Sequence, residues 1–319
     1  MKCQLIQRDD TLWHVFIEEV STDIDLTHAV AIIVSEDRNA SCLIYQNTDL
    51  SLEGKQCLCI GNIRCETIDQ FQRLLDRVVG FSRAKNIDTI IGPMDGSTWN
   101  KYRCRLDDSK PLFIGDVEIS YALGQFFEQA GFDLIKTYIS SYADSIALKT
   151  ERAKRFQNRF ESRGVTYHKL SYLPLEKTLQ KIGAFVNERF KDNFLFSPIE
   201  LDAFVSKMKH IIQFTGSDLT LVAMRDEAIV GFVFGYEQQI SPDEKALVIK
   251  TLARDADFQY AGLGSVMVNI LIESAMQNGC TSAIHALMAE DNQSVNVSKH
   301  FAGKVLSRYG LYALSIEMT

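Results

Sequence analysis

The stretch Val248-Ile-Lys-Thr-Leu-Ala-Arg-Asp-Ala-Asp-Phe-Gln-Tyr-Ala-Gly-Leu-Gly-Ser-Val-Met-Val268 constrains the fold more than any other part of the chain. An apolar run ends near Ala253, a short loop carries Gln259, Gly262 and Gly264, and a helical pattern continues to Asn278-Gly279. That order predicts a strand, a turn and a helix. Free backbone N–H groups and the positive end of the helix dipole converge at such a junction, which suits it to an anion such as a pyrophosphate. A plain tight turn is the alternative, and a bare Gly-x-Gly would favour it. A dinucleotide fingerprint fits less well. Met267 stands where that motif needs a third small residue for helix–strand packing, and the unit does not open a βαβ series.

At 319 residues the chain has room for two domains of ordinary size. Residues 1–150 carry 15 Lys and Arg against 22 Asp and Glu, whereas residues 151–319 carry 19 of each. The net charge of −7 therefore lies in the first half, and the half with the glycine loop repels an anion less. No basic stripe stands out, so no nucleic-acid partner is expected. Apolar runs are too short to span a bilayer, which argues against a membrane partner. The N-terminal residues lack a signal-peptide core, and seven scattered cysteines include no Cys-x-x-Cys. Together they point to a reducing, cytoplasmic setting without zinc or another metal.

In the first half, residues 12–20 suit a helix, 28–34 a strand or buried helix, and 41–46 and 57–64 strands. Apolar residues then recur at helical spacing from Ile68 to Val79 behind Thr67 as N-cap, and 87–92 reads as a strand stopped by Gly92-Pro93. The loop Gly96-Ser-Thr-Trp-Asn-Lys-Tyr-Arg103 follows. Trp99 and Tyr102 offer apolar faces with polar tips, and Arg103 a cationic fork. These three are candidates for substrate contact, with inter-domain packing as the alternative. A helix over 119–130, a strand over 133–142 and a joining helix over 149–163 place a domain boundary near 150.

The second half reads as a strand over 165–170, a helix through 179–190 and another opening at Pro198. A hairpin follows over 219–236, then a polar loop over 238–245 and the glycine stretch. A strand over 282–288, a helix over 294–301 and an extended segment over 309–316 complete the order. Part of this order occurs in both halves, with Met94 and Met288 marking corresponding strand ends, and this reads as a divergent internal duplication.

The C-terminal half resembles the GCN5-related N-acetyltransferases. Their Gln/Arg-x-x-Gly-x-Gly/Ala signature stands here as Gln259-Tyr-Ala-Gly262-Leu-Gly264, and the hairpin Arg225-Asp-Glu-Ala-Ile-Val-Gly-Phe-Val-Phe is also similar. The resemblance covers about residues 165–316. The N-terminal half is similar to the same fold in degenerate form. Its Phe127-Glu-Gln-Ala-Gly131-Phe132 looks like the family's Tyr-Glu-x-x-Gly-Phe. After its strand over 57–64, however, stands Glu66-Thr-Ile-Asp-Gln70 with no glycine loop, and Glu66 and Asp69 would repel a pyrophosphate. The implied fold class is α/β, an α+β mixed sheet in two tandem acyl-CoA N-acyltransferase-like domains. Residues 1–150 form the degenerate one and residues 151–319 the acyl-CoA-binding one.

The resemblance also implies a chemistry: acetyl-CoA or another acyl-CoA as co-substrate, and direct attack by an amine acceptor, either a small molecule or a peptide. Gln259, Tyr260, Ala261, Gly262, Leu263, Gly264 and Ser265 would hold the pyrophosphate. The strand edge at Leu252 and Ala253 would pair with the pantetheine arm, the N–H after Leu252 serving the developing oxyanion. Asn292 and Asn296 sit where such proteins place a coenzyme-contacting Asn. The Tyr that often donates a proton from the penultimate helix is missing from Val297-Ser-Lys-His-Phe301. Tyr309 and Tyr312 are candidates in its place, each against the reading of a strand aromatic with a satisfied hydroxyl. His285 could take a proton through water, against the reading of a core histidine. The missing Tyr keeps a second function in view, a catalytically silent acyl-CoA-binding sensor or scaffold.

Overall fold

One mixed sheet runs through both halves of the molecule. The computed structural model describes residues 3–20, 24–146, 150–292, 295, 298 and 303–318. The first half contains β1 (Cys3–Gln7), α1 (Trp13–Val20), β2 (Ala29–Ser35), β3 (Ser41–Tyr45) and a small separate hairpin, β4 (Ser51–Leu52) with β5 (Lys55–Gln56). It continues with β6 (Leu58–Arg64), α2 (Ile68–Ala84), β7 (Thr89–Gly92), β8 (Cys104–Arg105), α3 (Tyr121–Gln129) and β9 (Asp133–Ala143). Next come α4 (Thr150–Glu161), β10 (Val165–Lys169), α5 (Leu175–Phe190), α6 (Leu201–Thr215) and β11 (Thr220–Arg225). Last are β12 (Ala228–Ser241), β13 (Glu244–Arg254), α7 (Leu263–Gln277), β14 (Ser282–Ala289) and β15 (Lys304–Ser315).

Among the described residues the sheet has 13 strands, in the order β1-β2-β3-β6-β7-β15-β9-β14-β13-β12-β11-β10, with β8 paired to β15 outside that path. Its middle is an exchange. Strand β15 of the second half lies between β7 and β9, and β9 of the first half lies between β15 and β14.

Helices cover both faces. Strand residues alternate between cores as a two-residue period requires. In β2, Ile32 faces the core that holds Trp13 of α1, while Ile33 faces Phe71 and Leu74 of α2. In β13, Leu247 and Ile249 face α7 and Phe160 of α4, while Val248 faces Leu179 of α5 and Phe204 of α6. Helix α2 starts as its sequence predicts. Thr67 Oγ1 accepts from Gln70 N–H at 3.3 Å, and Gln70 Oε1 accepts in return from Thr67 N–H at 3.3 Å, a reciprocal cap.

Several expected boundaries move. The polar loop over 238–245 is mostly strand, because β12 and β13 stay paired from Gln238↔Ala246 to Ser241↔Glu244. Pro198 stands ahead of the N-cap Glu200 rather than in the first turn of α6. Strand β1 lacked any sequence signal of its own, and β15 begins before Tyr309 because it pairs with β9 from Lys304 onward. The expected helix over 294–301 lies outside the described residues save for Val295 and Ser298.

Candidate functional site

The site begins where two parallel strands part. Strands β13 and β14 pair from Ala246↔Ser282 to Ile249↔His285 and no further. On its other edge β13 bulges. Ile249 faces Gly235 and Thr251 faces Phe234, which leaves Lys250 as the extra residue. Strand β14 is irregular at the same level, with Leu287 at φ 59° and its N–H donating to Ser140 Oγ at 3.1 Å. The backbone edge of β13 beyond Ile249 thus faces an opening instead of a neighbouring strand. The opening leads into a cavity of about 940 Å³ between the halves, lined among others by Lys250, Leu252, His285, Trp99, Tyr102 and Asp95.

The glycine junction lies beyond the same strand. Asp257 accepts from Gln259 N–H at 2.9 Å and from Gln259 Nε2 at 2.9 Å, and Arg225 Nη1 donates to Gln259 Oε1 at 3.0 Å. Gly262 is the N-cap of α7 at φ 93°, a left-handed conformation that explains why glycine stands there. No side chain caps α7, and among the described hydrogen bonds none takes the N–H groups of Leu263, Gly264 or Ser265. A Cβ on Gly264 would meet only the Leu252 side chain, at an ordinary 3.5 Å, so protein packing does not demand a glycine at that position. N–H donors left without a protein partner at a helix N-terminus are what a phosphate ligand needs.

The charged groups of the cavity differ in how they are satisfied. Asp116 is saturated: Arg105 Nη2 reaches it at 2.6 Å, and the N–H groups of Leu112 and Val117 and the Tyr309 hydroxyl donate to it. Lys207 pairs with Asp25 at 3.1 Å, and Lys136 with Asp291 at 2.6 Å. Among the described residues Lys250 Nζ donates to the Gly115 carbonyl alone, at 2.8 Å, and burial together with the nearby Arg103 guanidinium pushes its ammonium down to about 8. Asp95 is 7% exposed, and burial pushes its carboxyl up to about 6 despite the bond from Asn62 N–H at 2.9 Å. His285 lies in the cavity wall, and burial pushes its imidazole down to about 4, so it is neutral near physiological pH.

Not every candidate residue reaches this place. Trp99, Tyr102 and Arg103 line the cavity, with the Arg103 guanidinium stacked between the Tyr102 and Tyr138 rings at 3.9 and 4.1 Å. Leu252, His285 and Asn292 line it too, while Ala253 is buried on the face towards α5 and α6. Tyr260, Leu263 and Gly264 are buried at the start of α7, and Asn296 lies outside the described residues. Tyr309 and Tyr312 are not brought to the cavity. Tyr309 is fully buried with its hydroxyl bonded to Asp116 at 2.8 Å and Ser140 at 3.1 Å. The Tyr312 ring stacks on Phe127 at 5.6 Å, and its hydroxyl donates to Glu128 at 2.9 Å. Both are satisfied strand aromatics, and burial raises the pKa of each. Sequence reasoning passed over Lys250 and Asp95. The signal for Lys250 was a charge inside an apolar strand; for Asp95 there was none.

Residues 186–302 match the acetyltransferase (GNAT) family. No curated protein matches the chain by sequence. Solved structures show the same fold at low identity. A GCN5-related N-acetyltransferase from Anabaena variabilis is 8% identical with a TM-score of 0.57, over 99% of this chain and 73% of that one. A tandem GNAT protein from the clavulanic acid biosynthesis pathway is 10% identical with a TM-score of 0.51, over 98% of both chains. The glucosamine N-acetyltransferase region of a fungal multi-domain β-N-acetylglucosaminidase is 12% identical with a TM-score of 0.57, over 98% of this chain and 38% of that one. The α/β mixed-sheet fold class is therefore that of the GNAT acyltransferases, and the tandem likeness extends over nearly the whole chain. Among the described residues no helix is long and apolar enough to cross a membrane, and no group of side chains is arranged to hold a metal ion.

Proposed function

We propose that the protein is a CoA-dependent N-acyltransferase with one working coenzyme site, in the half spanning residues 151–319, and a degenerate copy over 1–150. One observation carries the reading: the open fork between β13 and β14 leads along the same strand to the uncapped N-terminus of α7. The N–H groups at Leu263, Gly264 and Ser265 would hold the pyrophosphate, in a loop shaped by Gln259, Tyr260, Ala261 and Gly262. The free edge at Leu252, continuing to Ala253, would take the pantetheine arm as an added strand, with Asn292 and Asn296 further along. When bound, acyl-CoA supplies an activated acyl group. A backbone N–H on the free edge at Leu252 would serve as donor for charge developing on the acyl oxygen. The Ala253 N–H faces β12 instead, in the register set by Asp255 N–H on Val230 O.

Lys250 is the group best suited to move the proton. Its ammonium is poised near solution pH, and it stands at the fork itself. The acceptor nitrogen loses one proton and gains the acyl carbon, and a proton returned to sulfur restores a neutral thiol. His285, neutral near physiological pH, adds no charge to the fork. The absent helix Tyr and the placement of Tyr309 and Tyr312 away from the cavity speak for a catalytically silent acyl-CoA module, and Lys250 at the fork speaks against it. Calorimetry with acetyl-CoA tests the reading: micromolar binding is expected, and its absence would overturn the assignment. Thiol release over a panel of amines then reports the transfer.

A further inference from the structure

The helix that joins the two halves ends against the glycine junction. Arg159, in the last turn of α4, is half-buried there, and its Nη2 donates to the Ala261 carbonyl at 2.9 Å. Its guanidinium lies over the Phe156 and Phe160 rings, 4.7 Å from each centroid. Phe160 is buried in the core shared with α7, so the arginine rests on a fixed base. Phe156 closes the same corner, since a Cβ on Gly262 would meet its ring at 3.5 Å. Arg159 stands ahead of residues 186–302, so the contact is brought by the joining helix and not by the part that matches the family.

The peptide between Ala261 and Gly262 turns this bond into a means of aiming. A trans peptide is planar, and its carbonyl and N–H point to opposite sides. With the Ala261 carbonyl held towards α4, the Gly262 N–H points away from that helix. Among the described hydrogen bonds none takes this N–H, nor those of Leu263, Gly264 and Ser265 that follow it. A charged donor on the carbonyl also polarises the peptide and strengthens the N–H on its far side. The charge is not spent elsewhere. Among the described residues no carboxylate pairs with Arg159: Glu161 is bonded by Gln157 at 2.9 Å, and Asp257, the acid of the loop itself, by Gln259 at 2.9 Å.

We propose that Arg159 is a positioning residue of the coenzyme site: acting through the Ala261–Gly262 peptide, it aims the Gly262 N–H at the pyrophosphate of an acyl-CoA. The inference rests on the acyl-CoA reading and adds to it a residue from outside the glycine loop.

Calorimetry with acetyl-CoA and with S-acetylpantetheine, which carries the thioester arm without a phosphate, tests it. Arg159→Met keeps an apolar stem over the two rings and removes the charged donor. It should raise the Kd for acetyl-CoA roughly tenfold and leave that for S-acetylpantetheine within about twofold. Arg159→Lys keeps a charged donor and should hold acetyl-CoA affinity within about threefold of the parent. Unchanged acetyl-CoA binding in the Met variant, or an equal loss for both ligands, would overturn the proposal, the second because a merely structural arginine has no preference for phosphate. Should the Met variant fail to fold, Arg159→Gln against Arg159→Lys decides: weaker acetyl-CoA binding with Gln supports the role, and equal affinities sink it. The two readings separate cleanly. A parent and a Met variant that bind acetyl-CoA equally remove the role of Arg159 alone, whereas a parent that does not bind acetyl-CoA removes the acyl-CoA reading and this role with it.

Discussion

The two halves contain the same junction in opposite states. In the first, β6 and β7 pair only at Leu58↔Ile90 and Cys59↔Ile91 and then part, just as β13 and β14 do beyond Ile249↔His285. There the gap is closed from within: Met94 N–H donates to Ile60 O at 2.8 Å, and Asp95 accepts from Asn62 N–H. Gly61 shows how tight the closure is, since a Cβ there would lie 2.1 Å from the Asp95 carboxylate. The following helix is closed as well, because Gln70 takes the N–H groups of Glu66 and Thr67 and Thr67 takes that of Gln70. In the second half the fork is open and the helix uncapped. Closing a strand edge and capping a helix spend the same donors that a ligand would need. A folded junction of this kind is stable on its own or receptive, and the molecule holds one of each.

Changes that blur this distinction have graded effects. The largest is expected at the open fork, where Lys250→Met should lower kcat by roughly a thousandfold while the KM for acetyl-CoA moves little. The pH–rate profile should lose its limb near 8 at the same time, which loss of packing alone would not cause. Gly262→Val forces a β-branched residue into the left-handed region at φ 93° and should weaken acetyl-CoA binding about a hundredfold by calorimetry, with a detectable drop in Tm.

Asp95→Asn probes the closed junction. The folded carboxyl titrates at about 6, above its unfolded value of 3.8, so the folded state binds more protons between those pH values and loses stability as pH rises through them. The Asn variant keeps an acceptor for Asn62 N–H and should be more stable than the parent above that window, by something of order 2 kcal/mol in denaturant titrations. The two proteins should converge near the lower limit of the window. Smallest of all, Thr67→Ala removes a helix cap and should cost about 1 kcal/mol of stability without touching acetyl-CoA affinity.

What could be read from the chain in advance was whatever depends on neighbours in sequence. The glycine junction, the Thr67 cap and the β11–β12 hairpin each rest on a few consecutive residues, and each was legible. The opening between β13 and β14 depends on where a pairing stops, and no residue of either strand encodes that stop by itself. Tyr309 and Tyr312 illustrate the same limit. Both are visibly strand aromatics, but the register of β15 against β9 and β7 decides that one hydroxyl meets Asp116 and the other Glu128. Asp95 was illegible because its burial arises from a strand gap in β6 many residues earlier. A two-residue period names the face of a strand and never its neighbour, so the exchange of β9 and β15 could not be foreseen.

That exchange also orders events during synthesis. Strand β7 is complete early, but the neighbour that covers its free edge is β15, made more than two hundred residues later. Until β15 emerges, the first half carries an exposed strand edge, and β9 waits for both of its partners. A chain cut short before residue 304 would leave the β7 and β9 edges of the sheet free to pair with another molecule.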